Sequence, residues 1–352
     1  MMMEFIYTDP NGIEQGPLLN CSLDLEIGTY DKAKNDFEIT VSTDSWDRKL
    51  TYDSKFYCVG TEFGGIVKSI EIDTEAEEVK IGGICPRKLL ANDIIQPKKR
   101  TDEYYEFIGE ANECIREYIN SSTDFFNYIE NKSKSVSLKK KLADFVVSQE
   151  DSGITINYQA RYYNTLQAFE TMLNDANAKL KLIWNKDGHI ELSVEPIINY
   201  SEKLQFDNDY NLQIIAKKDI NQCNHCIGLG KGDLQERQVV HVFKINDQYL
   251  ELSEIDDDSM IPSELNTMTY DYSNVESIQE LIDGTKTKLK EAQTDNSLEI
   301  TFDNLSPEIG DIVGAKEYIT GISMQKPIVQ KIVKCTFEKD YTDCDIDYKV
   351  GD

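Results

Sequence analysis

Histidine, tryptophan and long apolar runs are all scarce in this 352-residue chain, which has 3 histidines and 2 tryptophans. No run approaches the roughly 18 apolar residues that a membrane helix requires, so no integral membrane segment is predicted. The N-terminus, MMMEFIYTDPNG, lacks the basic region and the long apolar region of a secretory signal. We therefore expect the chain to be assembled in the cytoplasm of the cell that makes it.

Positive charge is also in short supply. The 37 Lys and Arg residues face 64 Asp and Glu residues, which gives a formal net charge of −27. Such a surface repels phosphate, so specific nucleic-acid binding is not expected. The same charge suits a surface that nucleic acid must pass without adhering. The 40% hydrophobic content supplies ordinary cores and argues against disorder, and the length predicts two or three domains.

Cysteine is present but is not patterned as a disulfide framework, because the eight cysteines are scattered through a long chain. Most have apolar or strand-like neighbours, where cysteine behaves as a small hydrophobe. We expect all eight to be reduced and structural: Cys21, Cys58, Cys85, Cys114, Cys223, Cys226, Cys335 and Cys344.

Residues 1–98 form the first predicted domain, which is rich in β structure. Short apolar runs alternate with turn sequences such as DPNG and TEAEE, and glycines within the later runs mark bulges or corners. The predicted strands are residues 23–27, 37–41, 56–59, 66–72 and 79–84.

Residues 99–203 are predicted to form a mixed α/β module. Apolar residues recur at spacings of four and three over residues 104–118, which predicts an amphipathic helix. A second helix is predicted over residues 164–178, followed by a hairpin whose turn is residues 185–188. The serine- and lysine-rich residues 132–141 predict an exposed loop.

Residues 204–352 return to β character around one helix, predicted over residues 274–292. A loop is predicted near residues 323–327, and the chain is predicted to end in a hairpin made of IVQKIVKCTF and DCDIDYKV. The fold class is therefore α+β and mostly β, with two β domains on either side of a mixed module.

The stretch NHCIGLGKGDLQER, residues 224–237, carries the most conspicuous motifs. A phosphate-binding loop needs GxxxxGK[ST] between a strand and a helix. Here Gly228, Gly230 and Gly232 merely alternate, Lys231 is followed by glycine, and the β-branched QVVHVFKI after it predicts a strand. We therefore predict a strand, a glycine-rich crossing and a second strand, with a neighbour that packs too closely for side chains.

A metal site and a catalytic dyad are two other interpretations of the same stretch. Cys223-Asn-His-Cys226 resembles half of a zinc site, but a structural zinc usually takes four protein ligands and the chain has no second CxxC pair. In an extended strand His225 points with Cys223 and away from Cys226, which also separates the members of a Cys/His dyad. His241 is predicted to be a half-buried sheet histidine.

The carboxylates are too numerous for a glycosidase pair to be singled out, since that assignment requires a cleft and a measured separation. Glu236 and Arg237 are predicted to form a local ion pair or an interface contact. No catalytic, cofactor-binding or metal-binding residue is predicted, and no cofactor.

Five blocks occur in the order and spacing of one known family. They are GTEFGGIV (60–67), RYYNTLQAFETML (161–173), NHCIGLGKGDLQER (224–237), IGDIVGAKEYITGIS (309–323) and YKVG (348–351). Together they resemble the siphophage and prophage tail-hub family, which corresponds to the N-terminal hub part of tail-associated baseplate proteins. Two departures are GGICPRKLL (82–90), which lacks the expected aromatic and arginine pattern, and the absence after Asp352 of a lytic or receptor-binding domain.

The resemblance implies a homotrimer similar to the central hub of contractile-phage baseplates. Each subunit would have two β-barrel-like domains, residues 1–98 and 204–352, separated by the mixed module. Three subunits with two similar barrels present six near-equivalent elements, so a ring can join a six-fold tail tube to a three-fold tip. The implied partners are a distal tail, tube or adaptor-ring protein, a tape-measure protein and a tip or fibre protein. The implied location is the virion tail of a phage, prophage or tail-like bacteriocin, assembled in the host cytoplasm.

Two other functional classes stay open. A tail-tip enzyme, such as a cell-wall hydrolase or peptidase, would use a Cys/His or carboxylate site. A carbohydrate-binding module would show clustered, exposed aromatic rings. A structural role without enzymatic activity is the preferred prediction.

Overall fold

The computed structural model describes residues 3–97, 102–121, 142–200, 212–217, 223–245, 248–255, 257–292, 297–302, 306–316 and 323–351. Spatial contacts divide the chain into unit 1, which combines Met1–Ile215 with Leu298–Asp352, and unit 2, which is Ala216–Ser297. This grouping differs from the three predicted segments because strands near the C-terminus pair with a strand near the N-terminus. The division at residues 98 and 203 stays a prediction.

The N-terminal region supplies seven strands and a short helix. They are β1 Phe5–Thr8, β2 Glu14–Pro17, β3 Cys21–Gly28, β4 Asp36–Ser42, β5 Lys55–Cys58, β6 Gly64–Asp73, β7 Glu78–Ile84 and α1 Pro86–Ala91. All five strands predicted here are confirmed. Their apolar residues alternate with polar ones, so Leu23, Leu25 and Ile39 enter the core while Asp24 and Glu38 face solvent.

The middle of the chain supplies five strands and two helices. They are β8 Tyr105–Glu110, α2 Ala111–Ser121, β9 Phe145–Val147, β10 Thr155–Ala160, α3 Thr165–Asp175, β11 Ala178–Trp184 and β12 Ile190–Pro196. The predicted helix at 164–178 is confirmed as α3, and it begins where the Asn164 side chain accepts the backbone N–H of Gln167. The predicted hairpin is confirmed as β11 and β12.

The helix predicted over residues 104–118 is wrong in its first half. Tyr105 and Phe107 are buried while Ile108 is 60% exposed, which is the alternation of a strand, and β8 pairs with β10. The helix begins only at Ala111, where the Glu110 carboxylate accepts the backbone N–H groups of the first turn. The apolar spacing coincided with a helical period across a strand–helix junction.

The C-terminal region supplies the remaining elements. They are β13 Leu212–Lys217, β14 His225–Leu229, β15 Val239–Ile245, β16 Gln248–Glu251, β17 Thr267–Asp271, α4 Ile278–Glu291, β18 Ser297–Phe302, β19 Ile312–Lys316, β20 Ser323–Phe337 and β21 Thr342–Val350. The predicted helix is confirmed as α4 and the final hairpin as β20 and β21. The loop predicted near residues 323–327 is wrong, because these residues pair with β19 as the start of β20. The loop predicted at residues 132–141 lies outside the described residues.

The largest sheet has the strand order β13-β18-β21-β20-β3-β4-β7-β6-β5-β1-β2, with β19 paired to β20. One core lies beneath the N-terminal strands and β20, and it includes Leu25, Phe56 and Phe337. A second core in the mixed module packs Phe169 of α3 and Trp184 of β11. Strands dominate both, which confirms the α+β, mostly β class. None of the described helices has the length and apolar character needed to cross a membrane.

The described residues of unit 2 include a four-stranded sheet and the helix α4. The strand order is β16-β15-β14-β17. Cys226, Val242 and Leu289 of α4 form a buried cluster between the sheet and the helix.

Six cysteines carry free thiols, but two do not. Cys335 of β20 and Cys344 of β21 are direct register partners, their Cα atoms are 4.2 Å apart, and they form a disulfide. The prediction that all eight are reduced is wrong for this pair, because scattered spacing along the chain does not reveal that a hairpin brings two cysteines face to face.

Candidate functional site

The glycines of the 224–237 stretch are sites of close helix packing. β14 and β15 are antiparallel, with Gly228 opposite Val240, so the predicted strand, crossing and strand are confirmed. A Cβ on Gly228 would lie 2.1 Å from Thr285 Oγ1 of α4, and one on Gly230 would lie 2.8 Å from a Leu281 methyl carbon. The neighbour that packs too closely for side chains is therefore α4.

The end of this stretch is a turn held by an arginine. Gly232 has a φ of +103°, in the region that favours glycine. Arg237 Nη2 lies 2.7 Å from Asp271 Oδ2 of β17, and its Nε donates to the Gly230 carbonyl at 3.2 Å. Arg237 thus pairs with Asp271 and not with Glu236, so the predicted local ion pair is wrong, and the alternative of an interface contact stays a prediction.

The two strand histidines face each other across the sheet. His225 Nε2 lies 3.0 Å from His241 Nδ1, and His225 Nδ1 lies 2.9 Å from Thr267 Oγ1. The two imidazole rings are stacked at 8°, and the His225 ring also stacks on Phe243. Burial lowers the pKa of His225, and the nearby His241 lowers it further to a smaller extent. His225 is thus held between His241 and Thr267 by both of its ring nitrogens.

Cys226 lies on the opposite face of this sheet. It is fully buried against Val242 and Leu289, and burial raises the pKa of its thiol to about 11. Neither His225 nor His241 shares its face, which confirms the predicted alternation. Within the described ranges, no group of three or more His, Cys, Asp or Glu side chains is placed to hold a metal ion.

Sequence reasoning missed a buried ionic cluster in unit 1. Arg87 Nε donates to Glu62 Oε1 at 2.6 Å and Nη2 to Glu62 Oε2 at 3.3 Å. Its Nη1 donates to Glu170 Oε1 at 3.4 Å, while the other Glu170 oxygen accepts the Tyr30 N–H at 3.0 Å. The guanidinium thus ties α1, the segment before β6, and α3 together.

Glu170 is a mostly buried acid that lines a cavity. It borders a cavity of about 410 Å³, whose wall also includes Asp31 and Arg87. Burial raises the pKa of Glu170 to about 7, although the Arg87 guanidinium acts in the opposite direction. A carboxyl of this kind can gain or lose a proton near neutral pH.

A second buried pair joins distant parts of the chain. Lys179 Nζ of β11 lies 2.6 Å from Asp311 Oδ1, and the same oxygen accepts the Ile198 N–H at 2.9 Å. Nearby, Lys331 of β20 is buried with its Nζ 5.8 Å from the ring centroids of Phe63 and Tyr348. Burial lowers the pKa of Lys331.

A partial signal for these charges was present in the sequence. Glu62, Glu170 and Asp311 all lie within the blocks that carry the family resemblance, whereas Arg87 lies in the departing segment GGICPRKLL. Isolated charges inside apolar blocks have no periodicity of their own. Only the fold shows that they converge.

Exposed aromatic rings occur beside α3. Tyr162 is 63% and Tyr163 is 51% exposed, and the Arg161 guanidinium lies 5.4 Å from the Tyr162 ring centroid. These two adjacent rings are a smaller set than the clustered platforms that a carbohydrate-binding module would present.

The sequence matches no protein-family model and no curated protein. The structure is similar to the prophage tail protein gp18 from Listeria monocytogenes EGD-e, with 13% identity, a TM-score of 0.40 and coverage of 99% of this chain and 94% of that chain. It is also similar to the 43 kDa tail protein of prophage MuSo2 from Shewanella oneidensis, with 8% identity, a TM-score of 0.47 and coverage of 99% and 98%. The third is the E. coli c3393 protein, described as a type VI secretion component with similarity to the T4 tail proteins gp27 and gp5, at 9% identity, a TM-score of 0.37 and coverage of 96% and 74%. Two of these three neighbours are prophage tail proteins, and the other is a type VI secretion component.

Proposed function

We propose that the chain is a structural hub subunit of a phage tail or tail-like particle. Three copies form a ring that joins the six-fold tail tube to the tip and contributes to the channel through the tail. Its partners are a tube or adaptor-ring protein, the end of a tape-measure protein and a tip or fibre protein. The protein has no catalytic task in this role.

The observation that carries the proposal is an acidic face on the main sheet. On β3, β4, β6, β7 and β21 the side chains that point away from the core include eight exposed carboxylates. We call this set the acidic sheet face: Asp24, Glu38, Glu71, Asp73, Glu78, Asp343, Asp345 and Asp347. The exposed lysines on the same face are Lys80 and Lys334, and Lys80 lies 3.7 Å from Glu38.

The acidic sheet face is a continuous surface built from both ends of the chain. β20 lies between β21 and β3, so the carboxylates of residues 343–347 and Asp24 lie on the two strands that flank β20, and Glu38 follows on β4 beside β3. A wall with this charge repels the phosphates of a passing duplex, whereas a basic wall would retain them. In a ring this face would be the side that DNA passes.

The family-like blocks supply packing joints, which supports a structural role. A Cβ on Gly64 would lie 2.7 Å from Trp184 Nε1, so the 60–67 block requires glycine where it meets β11. A Cβ on Gly228 would likewise collide with Thr285 of α4, and Asp311 forms a buried ion pair with Lys179 of β11. In these three blocks the named residues fix how neighbouring elements pack.

The oligomeric state tests this proposal. Light scattering on the purified chain should give three times the monomer mass, or, with tube protein added, the mass of a complex that contains three copies of the chain. Cryo-electron microscopy of the tail should place the chain in a ring below the tube. A chain that stays monomeric and never joins tube or tip proteins would overturn it.

A tail-tip hydrolase is the second candidate, and Glu170 is the observation that favours it. A general acid needs a pKa near the working pH and a cavity for the substrate, and Glu170 has both. Zymography on bacterial cell walls decides between the two. Clearing that is lost in Glu170→Gln, or in Cys226→Ala or His241→Ala, would make the chain an enzyme.

A further inference from the structure

β21 forms a hairpin with β20 along its whole length. β20 pairs with it from Thr342 to Val350, and β18 pairs with it at Tyr348 and Lys349. Residues 342–347 of this hairpin carry Asp343, Asp345 and Asp347 of the acidic sheet face. Their place in the sheet therefore decides where these three carboxylates lie.

The disulfide lies in the middle of this stretch. Cys335 and Cys344 occupy one row of the register, with Cα atoms 4.2 Å apart, on the face that points to the core. Cys335 is 3% exposed and packs in the cluster with Leu23 and Phe337, whereas Cys344 is only partly buried. The bond therefore ties β21 to a fixed point in the core.

We propose that this bond is a redox clasp, open when the chain is made and closed after the particle leaves the cell, which fixes residues 342–347 in the sheet. The change of compartment rests on the proposed function, because the bacterial cytoplasm keeps thiols reduced and the exterior does not. The register of β20 and β21 already places the two sulfurs together, so closure needs no rearrangement of the fold.

A low-molecular-weight disulfide, RSSR, is a sufficient oxidant. The more accessible Cys344 loses a proton and its thiolate attacks one sulfur of RSSR, which forms a mixed disulfide and releases RS⁻. The Cys335 thiolate, after losing its proton, attacks the Cys344 sulfur and releases the second RS⁻. Two protein thiols are oxidised, one RSSR is reduced to two thiolates, and the two protons return to them.

Four of the other six thiols are poorly placed to compete. Burial raises the pKa of Cys21 to about 12 and that of Cys226 to about 11, and it also raises the pKa of Cys58 and of Cys85. Because the thiolate is the reactive form, these four cysteines react slowly. Cys114 and Cys223 are partly buried, as Cys344 is, but among the described strands Cys335 and Cys344 are the cysteines that share a register row.

Thiol trapping tests the clasp without requiring assembly. Cells that express the full-length chain are lysed in N-ethylmaleimide, and Cys335 and Cys344 should both be alkylated. Purified reduced protein incubated with glutathione disulfide should then yield one linked 335–344 peptide, with the other six cysteines still alkylatable.

Hydrogen exchange and thermal unfolding give the structural consequence. Reduction of the wild-type protein should lower Tm and speed amide exchange in residues 342–347 by about tenfold or more. Cys344→Ser should lose this response to reductant, and the matched variant Cys114→Ser, a partly buried free thiol, should keep it. The wild-type comparison needs no variant, so a misfolded mutant does not obscure the result.

Three results would overturn the clasp: a 335–344 bond already complete in trapped cells, no bond after oxidant, or equal exchange of residues 342–347 in both redox states. None of them bears on trimer formation. A monomer with a working clasp would contradict the proposed function and leave the strand-locking chemistry in place.

Discussion

At the residue scale, buried charge is the feature that most distinguishes this protein. Arg87 and Glu62 are both about 2% exposed at their side chains, and their short ion pair replaces the water that each has lost. Breaking a buried pair by removing one partner typically costs about 3–5 kcal/mol, since the other charge is left uncompensated. Such pairs fix which elements meet, and here the elements are far apart in the chain.

Glu170 predicts a pH-dependent stability. Its pKa is raised to about 7 in the fold from 4.5 in the free side chain, so the folded state binds this proton more tightly than the unfolded state. The contribution of Glu170 to stability is therefore fully present below pH 4.5 and is lost as the pH rises through about 7. The side chain in Glu170→Gln cannot ionise. The free energy of unfolding of this variant, relative to that of the wild type, should therefore be higher at pH 8 than at pH 5 by up to about 3 kcal/mol.

Urea unfolding at the two pH values measures this difference. Glu75→Gln, an exposed carboxylate in the β6–β7 turn, is the matched control and should show no such change. An identical effect of Glu170→Gln at both pH values would mean that the carboxyl titrates normally.

Gly228 predicts a steric coupling between β14 and α4. Gly228→Ala places a methyl group 2.1 Å from Thr285 Oγ1 and 2.7 Å from a Val240 methyl carbon, so something must shift. We expect a loss of about 1–3 kcal/mol in the free energy of unfolding of unit 2. Removing the obstructing hydroxyl in the double variant Gly228→Ala/Thr285→Ala should recover part of it.

The control for Gly228 is Gly351→Ala, where the nearest atom to the new Cβ is 3.4 Å away. Chemical denaturation of the wild type, Gly228→Ala, Thr285→Ala and the double variant gives the coupling free energy between the two positions. Strict additivity of Gly228→Ala and Thr285→Ala would show that the close approach of α4 is not what selects glycine.

At the element scale, the sequence was informative where one periodicity ran without interruption. The five N-terminal strands, α3, α4 and the two hairpins were predicted because each has a single buried face. β8 and α2 were merged because Gly109, with a φ of +135°, separates two elements whose apolar residues together mimic a helical repeat. The loop predicted near residues 323–327 is wrong because these residues pair with β19, a contact that the local sequence does not reveal.

The capping residue of α3 predicts a stability effect at this scale. The Asn164 side chain accepts the Gln167 N–H at 3.2 Å, and its Nδ2 donates to the Ala91 carbonyl at the end of α1. Asn164→Ala removes both bonds and should lower the free energy of unfolding by about 1–2 kcal/mol.

Asn164→Asp separates the two bonds. Aspartate keeps the acceptor for the helix N-terminus but has no donor for Ala91, so its loss should be smaller than that of Asn164→Ala. Equal losses in thermal or urea unfolding would assign the whole effect to the link between α3 and α1.

At the scale of the whole molecule, the pairing of β3 with β20 is what local pattern cannot reveal. About 300 residues separate the two strands, and each alone predicts only a strand with one buried face. Their pairing places the last hairpin in the N-terminal sheet and assembles the acidic sheet face from two ends of the chain. The convergence of Glu62, Arg87 and Glu170 is of the same kind, since each comes from a different element. Composition alone did indicate that an acidic surface would exist somewhere.

The acidic sheet face predicts how charge position controls DNA passage. A triple variant with Glu38→Lys, Asp73→Lys and Asp343→Lys places three cations on this face. Their respective register neighbours are Asp24, Glu78 and Thr336, none of which is basic. A control with the same net charge carries Glu106→Lys, Glu150→Lys and Asp187→Lys at exposed positions off the face. If the face lines the channel, the first variant should bind duplex DNA in a salt-sensitive way and slow DNA release from reconstituted tails several-fold.

The control isolates position from charge. Both variants gain the same number of positive charges, so a general electrostatic effect would change DNA binding and release in both to the same degree. Slow release confined to the face variant, with trimer mass unchanged in both, is the result expected of a channel wall. Equal DNA binding and release by the two variants would show that the acidic sheet face does not line the channel, because cations on a surface that DNA never approaches cannot slow its release selectively.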